Sequence, residues 1–163
     1  TMLMGSDGIL PEGAVSRALL RDDPDAPFGW RLDRDKVLTA VDATWADAER
    51  AVVLVEASDL SRVAAYGSRA NASQRRALRD EALADADALL GALLERTAPD
   101  RDAIVVLSPV SPSASPTLGM VAVQAPGVDG GLLESATTRR GGYVQLADVA
   151  PTVLRFLGEY SPS

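Results

Sequence analysis

Ala51-Val52-Val53-Leu54-Val55 is the stretch on which the fold turns: short, continuous, apolar and rich in β-branched side chains, it reads as a buried strand. A second run of the same kind, Ala103-Ile104-Val105-Val106-Leu107, follows about fifty residues later. Upstream of the first run, Val37, Val41, Trp45 and Ala48 recur at helical spacing within residues 33–50 and place one stripe against a core. Between the two runs lies the clearest helix of the chain. Leu78, Ala82, Ala86, Leu89, Leu90, Leu93 and Leu94 form its apolar stripe, with Arg75, Arg76, Arg79 and Asp80 elsewhere on its surface. Asn71 or Ser73 offers it an N-terminal cap, and Pro99-Asp100 ends it.

Beyond the second run, the Pro- and Ser-rich residues 108–116 break regular structure before Gly119-Met120-Val121-Ala122-Val123-Gln124-Ala125 resumes it. Pro126-Gly127-Val128-Asp129-Gly130-Gly131 is a turn, and Gly141-Gly142 is a second flexible point ahead of the short run Tyr143-Val144-Gln145-Leu146. Asp148 is placed to cap a final helix packed through Val149, Val153, Phe156 and Leu157; Pro151 falls in its first turn and Gly158 closes it. This order predicts an α/β layered domain with a mainly parallel sheet flanked by helices. Residues 33–160 are expected to form that single α/β domain. Residues 1–32 are expected to be an irregular N-terminal segment, with Arg21-Asp22-Asp23-Pro24-Asp25-Ala26-Pro27 as a loop.

Composition removes more functions than any motif adds. The 163 residues contain no histidine and no cysteine, so the commonest neutral-pH proton carrier and the soft ligands of tight transition-metal sites are both missing. Oxygen-only Mg²⁺ or Ca²⁺ sites and carboxylate chemistry stay open. At 47% the apolar content suffices for one core, whereas 4% aromatics disfavours an aromatic ligand cage. A net charge of −7 opposes a nucleic-acid backbone or an anionic membrane as partner. No apolar stretch approaches the roughly 20 residues needed to cross a bilayer, so this segment is expected not to insert directly into a membrane. The opening Thr1-Met2-Leu3-Met4-Gly5-Ser6 reads as a cut from a longer protein, and the lack of cysteine does not choose a compartment.

The stretches Ala125-Pro126-Gly127, Leu132-Leu133-Glu134-Ser135-Ala136-Thr137-Thr138-Arg139-Arg140 and Gly142-Tyr143-Val144-Gln145-Leu146, running into Asp148-Val149-Ala150-Pro151-Thr152, carry a likeness. Together with the order of elements over residues 52–158 they resemble the alkaline phosphatase superfamily, which includes sulfatases and other metal-dependent phosphoryl and sulfuryl transfer enzymes. The resemblance implies an alkaline phosphatase-like core fragment. It also implies that the family's metal-binding histidines are gone. Asp59 stands where a metal-binding acid is expected, but Val63 stands four residues on, where a histidine belongs. In Leu107-Ser108-Pro109-Val110, Pro109 and Val110 replace an Asp-His pair, and no later histidine exists. A paired-metal mechanism needs both ions held, so the resemblance implies a catalytically inactive member. It further implies a membrane-associated parent protein and an extracytoplasmic location.

Other candidates are weighed by their chemistry. Asp22, Asp23, Asp25, Asp33 and Asp35 form an acidic cluster without EF-hand spacing, which reads as a solvated loop. Glu81 and Asp85 stand at i,i+4, with Asp87 beyond; they imitate two catalytic carboxylates but fit an exposed helical face equally well. Thr137-Thr138-Arg139-Arg140 beside Gly141-Gly142 offers hydroxyls, guanidiniums and backbone donors to a phosphate or carboxylate, while the arginines serve equally well to neutralise nearby acids. Tyr143 reads as a packed strand residue, Trp45 as core, and Trp30 as a contact residue. Ser58, Ser108, Ser111 and Ser113 lack an activating histidine, and the single lysine, Lys36, falls in the first predicted helix. No nucleotide-binding Gly-rich loop is present.

The expectation is a catalytically inactive scaffold or protein-interaction domain, with no catalytic residue, no metal and no cofactor of its own. Its ligand or partner surface would comprise Asp59, Thr138, Arg139, Arg140 and Tyr143, and its partner would be another protein or the remainder of a parent chain. Two alternatives stand beside it: a metal-dependent ester hydrolase fragment completed by further sequence, and an anion-binding regulatory domain.

Overall fold

Backbone pairing organises residues 20–32. The computed structural model describes residues 13–14, 16–46, 49–109 and 118–159. In it β1 (Leu20–Asp22) and β2 (Trp30–Leu32) pair antiparallel, with Leu20 opposite Leu32 and Asp22 opposite Trp30. Of the loop expected at residues 21–27, Arg21 and Asp22 instead belong to β1, and residues 23–27 lie in the turn of this hairpin. Asp23 Oδ1 accepts the Asp25 N–H at 3.1 Å, and Asp23 N donates to Gly29 O at 3.0 Å. Phe28 (φ 62°) and Gly29 (φ 78°) both adopt left-handed backbone to close it, a conformation that glycine reaches without cost and phenylalanine does not.

The chain divides into two compact units, residues 1–96 and 97–163. In the first, α1 (Arg34–Ala46) starts on Asp33, whose carboxylate accepts the Lys36 N–H at 3.2 Å. α3 (Ala72–Leu94) starts on a capping box in which Asn71 accepts from Gln74 N and the Gln74 side chain accepts from Asn71 N. Of the two expected caps Asn71 does the work, and the Ser73 hydroxyl donates to it at 2.7 Å. Val37, Leu38 and Val41 of α1 and Leu89 of α3 are the buried centre. Leu19, Leu32, Trp45, Val53, Val55 and Leu93 pack around them. Burying each such aliphatic side chain stabilises by about 1.5–3 kcal/mol. Ala48, expected to extend the α1 stripe, lies outside the described residues.

One helix was not expected from the sequence. α2 (Asp59–Tyr66) fills the segment between the first apolar run and α3, and a 3₁₀ turn, Gly67–Arg69, follows it.

In the second unit, β3 (Ile104–Leu107) pairs antiparallel with β4 (Val121–Gln124), Ile104 opposite Gln124 and Leu107 opposite Val121. Gly119 is required there, because a Cβ on it would lie 2.0 Å from Ser108 O. A 3₁₀ turn, Leu146–Asp148, leads into α4 (Val149–Phe156). The helix ends as expected on Gly158 (φ 74°): its N–H donates to Arg155 O, and Glu159 N donates to Leu154 O at 2.9 Å.

The expected layered α/β domain with a mainly parallel sheet, the alkaline phosphatase-like core fragment, is overturned. The described residues form four α-helices and two separate two-stranded antiparallel sheets. The reasons are local. Residues 51–57 are in no ladder, and their side chains alternate between half-buried and exposed, so this run is not buried on both faces as a central parallel strand must be. β3 and β4 are neighbours in an antiparallel ladder, where the expected sheet needed parallel neighbours. The short run at residues 143–146 forms no strand.

Candidate functional site

The densest set of charged groups in the first unit is gathered by a residue that the sequence reading passed over. Arg31 sits on β2 pointing into the unit, its side chain 8% exposed. Its Nε donates to Asp23 Oδ2 at 2.7 Å, Nη2 contacts Glu81 Oε1 at 2.8 Å, and Nη1 donates to Asp85 Oδ2 at 2.5 Å. Burial opposes the guanidinium charge, but the hydrogen-bonded carboxylates of Glu81, Asp85 and Asp23 outweigh it and hold Arg31 above its ordinary range. In return, the Arg31 hydrogen bond holds Asp23 below the usual carboxylate range, partly opposed by burial. Glu81 and Asp85, one turn apart on α3, are thus both engaged by one cation.

Asp59, the expected metal-binding acid, begins α2 and is similarly occupied. Both its carboxylate oxygens accept the Leu32 N–H at 3.2 Å, and Arg62 pairs with it through Nε and Nη2. Arg62 also donates to Ser58 Oγ at 2.9 Å. The carboxylate thus ties the start of α2 to β2 while offsetting the guanidinium beside it. A mixed-charge cleft of about 430 Å³ opens next to it, with Arg21, Arg31, Asp33, Arg34, Asp59 and Asp85 in its lining. Several of these charges already have partners of opposite sign: Arg31 with Asp85 in the wall, and Asp33 with Lys36, outside the lining, at 3.2 Å. The Asp33 carboxylate is held low by the Lys36 backbone N–H.

The acidic cluster of the sequence is dispersed by these pairings: Asp23 faces Arg31, Asp33 faces Lys36, and Asp35 stands 88% exposed beside Arg34. Among the described residues no group of three or more Asp, Glu, His or Cys is placed to hold a metal ion.

The remaining surface residues belong to the second unit, where Thr138, Arg139, Arg140 and Tyr143 do share one turn. Buried Ser135 organises it, its hydroxyl accepting the N–H groups of Thr137 and Thr138 at 3.1 and 3.4 Å. Thr138 Oγ1 donates to Tyr143 O at 2.6 Å, so this hydroxyl closes the turn and is not presented to a ligand. Arg139 takes a left-handed conformation (φ 53°), and Arg139, Arg140 and Tyr143 are exposed. Tyr143 is thus not the packed strand residue expected.

Asp148 also differs from expectation. Its carboxylate accepts the Gln145 N–H at 2.8 Å, capping the 3₁₀ turn ahead of α4, and makes no side-chain cap on α4 itself. That bond, helped by the hydroxyls of Ser135 and Thr137, holds it below the usual carboxylate range. Val110, Ser111 and Ser113 and most of residues 108–116 lie outside the described residues.

The signal for Arg31 was available in part: an arginine between Trp30 and Leu32 interrupts an apolar run, and a basic residue there needs acids within reach. What no local pattern indicates is that two of those acids come from fifty or more residues away. The i,i+3 spacing of Asp59 and Arg62 was likewise readable.

No described helix is long and apolar enough to cross a membrane. Comparison with protein-family models, with curated proteins and with solved structures finds no match to this chain.

Proposed function

We propose that this chain is a catalytically inactive interaction module, whose ionisable groups maintain its own architecture and whose contacts are made through backbone and apolar surface. The observation that carries this reading is residues 51–57. Val53 and Val55 pack on the core, while Val52 and Leu54 are 43% and 51% exposed. Among the described residues, the main chain of residues 52–55 makes no hydrogen bond. Peptide groups in a β-branched, one-sided apolar segment gain most when a strand supplies their partners.

The engagement of Asp59 with Arg62 and the Leu32 N–H gives independent support, since a carboxylate tied in this way has a structural task. The reading requires neither a parallel sheet nor a metal centre.

The test is turnover of phosphate monoesters and sulfate esters with added Zn²⁺, Mg²⁺, Mn²⁺ or Ca²⁺, measured alongside thermal unfolding of Asp59→Asn. The expected result is no turnover with any ion and a lowered melting temperature for the variant. Metal-dependent turnover that persists through repurification and disappears in Asp59→Asn would contradict the proposal.

A further inference from the structure

When the charges around the cleft of about 430 Å³ are paired off, two arginines and one carboxylate oxygen of its lining are left over. Register explains the first arginine. Arg21 of β1 lies directly opposite Arg31 of β2, so both side chains leave the same face of the hairpin. Arg31 takes the buried place and Arg21 stays half-exposed at the rim. Arg21 Nη1 stands 3.7 Å from Asp23 Oδ2, an oxygen that already accepts from Arg31 Nε. The Asp33 N–H donates to Leu19 O at 2.8 Å and Lys36 Nζ to Leu20 O at 2.9 Å, which seats the start of α1 against β1 and carries Arg34 into the same lining. Arg34 Nε is 3.8 Å from Asp35 Oδ1. Both separations exceed hydrogen-bond reach. Like charges directly opposed on a ladder repel, and a carboxylate bound at Arg21 offsets that repulsion.

The acid comes from α3. Asp23, Glu81 and Asp85 surround the single Arg31 guanidinium, so the cluster carries excess negative charge. Asp85 uses Oδ2 on Arg31 and is about half-exposed, which leaves Oδ1 to accept from a ligand. The other acids of the lining are engaged or screened: Asp59 by Arg62, Asp33 by Lys36, and Asp35 by the water around it. A simple anion drawn to the arginines meets the excess at Asp85, and a simple amine drawn to Asp85 meets the arginines. One molecule carrying both signs satisfies both. In the same lining Ala57 and Ala86 are half-buried and apolar.

We propose that this cleft binds an α-amino acid with a small aliphatic side chain, its carboxylate held by Arg21 and Arg34, its ammonium by Asp85 and its side chain against Ala57 and Ala86. The volume falls within the range of small-molecule sites. Guanidinium forks match a carboxylate, and Asp85 Oδ1 needs a donor such as a primary ammonium. The proposal goes beyond the interaction-module reading and does not depend on it.

The experiment titrates the whole chain with L-leucine, isocaproate and isoamylamine, which share one aliphatic body and carry both charges, the carboxylate alone and the ammonium alone. Binding is followed through the amide shifts of residues 21, 34 and 85 by NMR. The expected result is saturable shifts with L-leucine, and dissociation constants roughly tenfold or more higher for each analogue, since each lacks one charge-assisted contact. Arg34→Gln leaves the buried Arg31 cluster intact and is expected to weaken L-leucine roughly tenfold with an unchanged melting temperature. Asp85→Asn is expected to abolish the preference for L-leucine over isocaproate.

No saturable shift with L-leucine at about 10 mM, an analogue that binds as tightly as L-leucine, or unchanged affinity in Arg34→Gln overturns the proposal. Failure of the module reading is separate: it is metal-dependent ester turnover, which these titrations neither produce nor mask.

Discussion

The two units of the chain are held in different ways. Residues 1–96 have a buried aliphatic centre in Val37, Leu38, Val41 and Leu89, together with an arginine enclosed by three carboxylates. In residues 97–163 the buried described residues are Ala125 and Ser135, whereas Leu132, Leu146, Leu154 and Phe156 are all more than 40% exposed. Order there comes from hydrogen bonds to the main chain: a four-residue antiparallel ladder, the turn on the Ser135 hydroxyl, the cap on the Asp148 carboxylate and the Gly158 helix end. The first unit is sensitive to what is removed from its side chains, the second to what is added to its backbone.

The sharpest way to break this contrast is to delete the same side chain from each unit. Leu89→Ala, at a position 4% exposed, is expected to cost about 2–4 kcal/mol in denaturant unfolding. Leu154→Ala, at a position 43% exposed, is expected to cost less than about 1 kcal/mol. Equal costs would abolish the distinction.

Arg31→Met keeps much of the side-chain volume but strands three carboxylates. Removing one member of a buried ion pair typically costs about 3–5 kcal/mol, but Glu81 and Asp85 are about half-exposed and can turn to water, so a loss of about 2–3 kcal/mol is expected by the same measurement. A change below about 1 kcal/mol would show that the cluster is not what fixes β2 to α3.

The opposite manipulation addresses the second unit. Gly119→Ala pushes a methyl group onto Ser108 O and is expected to cost about 1–3 kcal/mol, read as faster amide exchange along β3 and β4. Unchanged exchange would remove the close approach from the account.

Smaller still is the response to acid. Asp23, Asp33 and Asp148 have folded-state values below their ordinary ones, so the stability they contribute is fully present above about pH 4 and is lost as pH falls through the lowered values. Unfolding midpoints followed downward from pH 5 are expected to decline, with Asp23→Asn flattening the curve; a pH-independent midpoint over that range contradicts the assignment.

How much of this was readable beforehand depends on whether the signal is local. The α3 stripe, the Asn71 cap, the α1 stripe through Val37 and Val41, β3, β4 and the Gly158 ending are written in short-range spacing and all appear in the structure. The parallel sheet was not local. A run such as Ala51-Val52-Val53-Leu54-Val55 states that it prefers extended backbone and apolar surroundings, but not which strand pairs with it, and here none of the described residues does. α2 was missed because Asp59 to Tyr66 is half polar and no residue in it is buried.

For the candidate surface, Arg139, Arg140 and Tyr143 lie in one turn with Thr138, as their closeness in sequence implies. The loss of Thr138 Oγ1 to a backbone carbonyl five residues on depends on how the turn closes. Asp59 was singled out as an acid; its partner Arg62 was near in sequence, but the Leu32 N–H was not.

The most direct test of the central claim is amide hydrogen exchange at residues 52–55 in dilute solution, with Leu89 in α3 as the internal reference. The predicted result is exchange close to that of an open chain at residues 52–55 while Leu89 stays strongly protected. Protection of residues 52–55 as strong as that of α3, in a chain shown to be monomeric at the same dilution, would mean that this strand already has its partner and that the account is wrong.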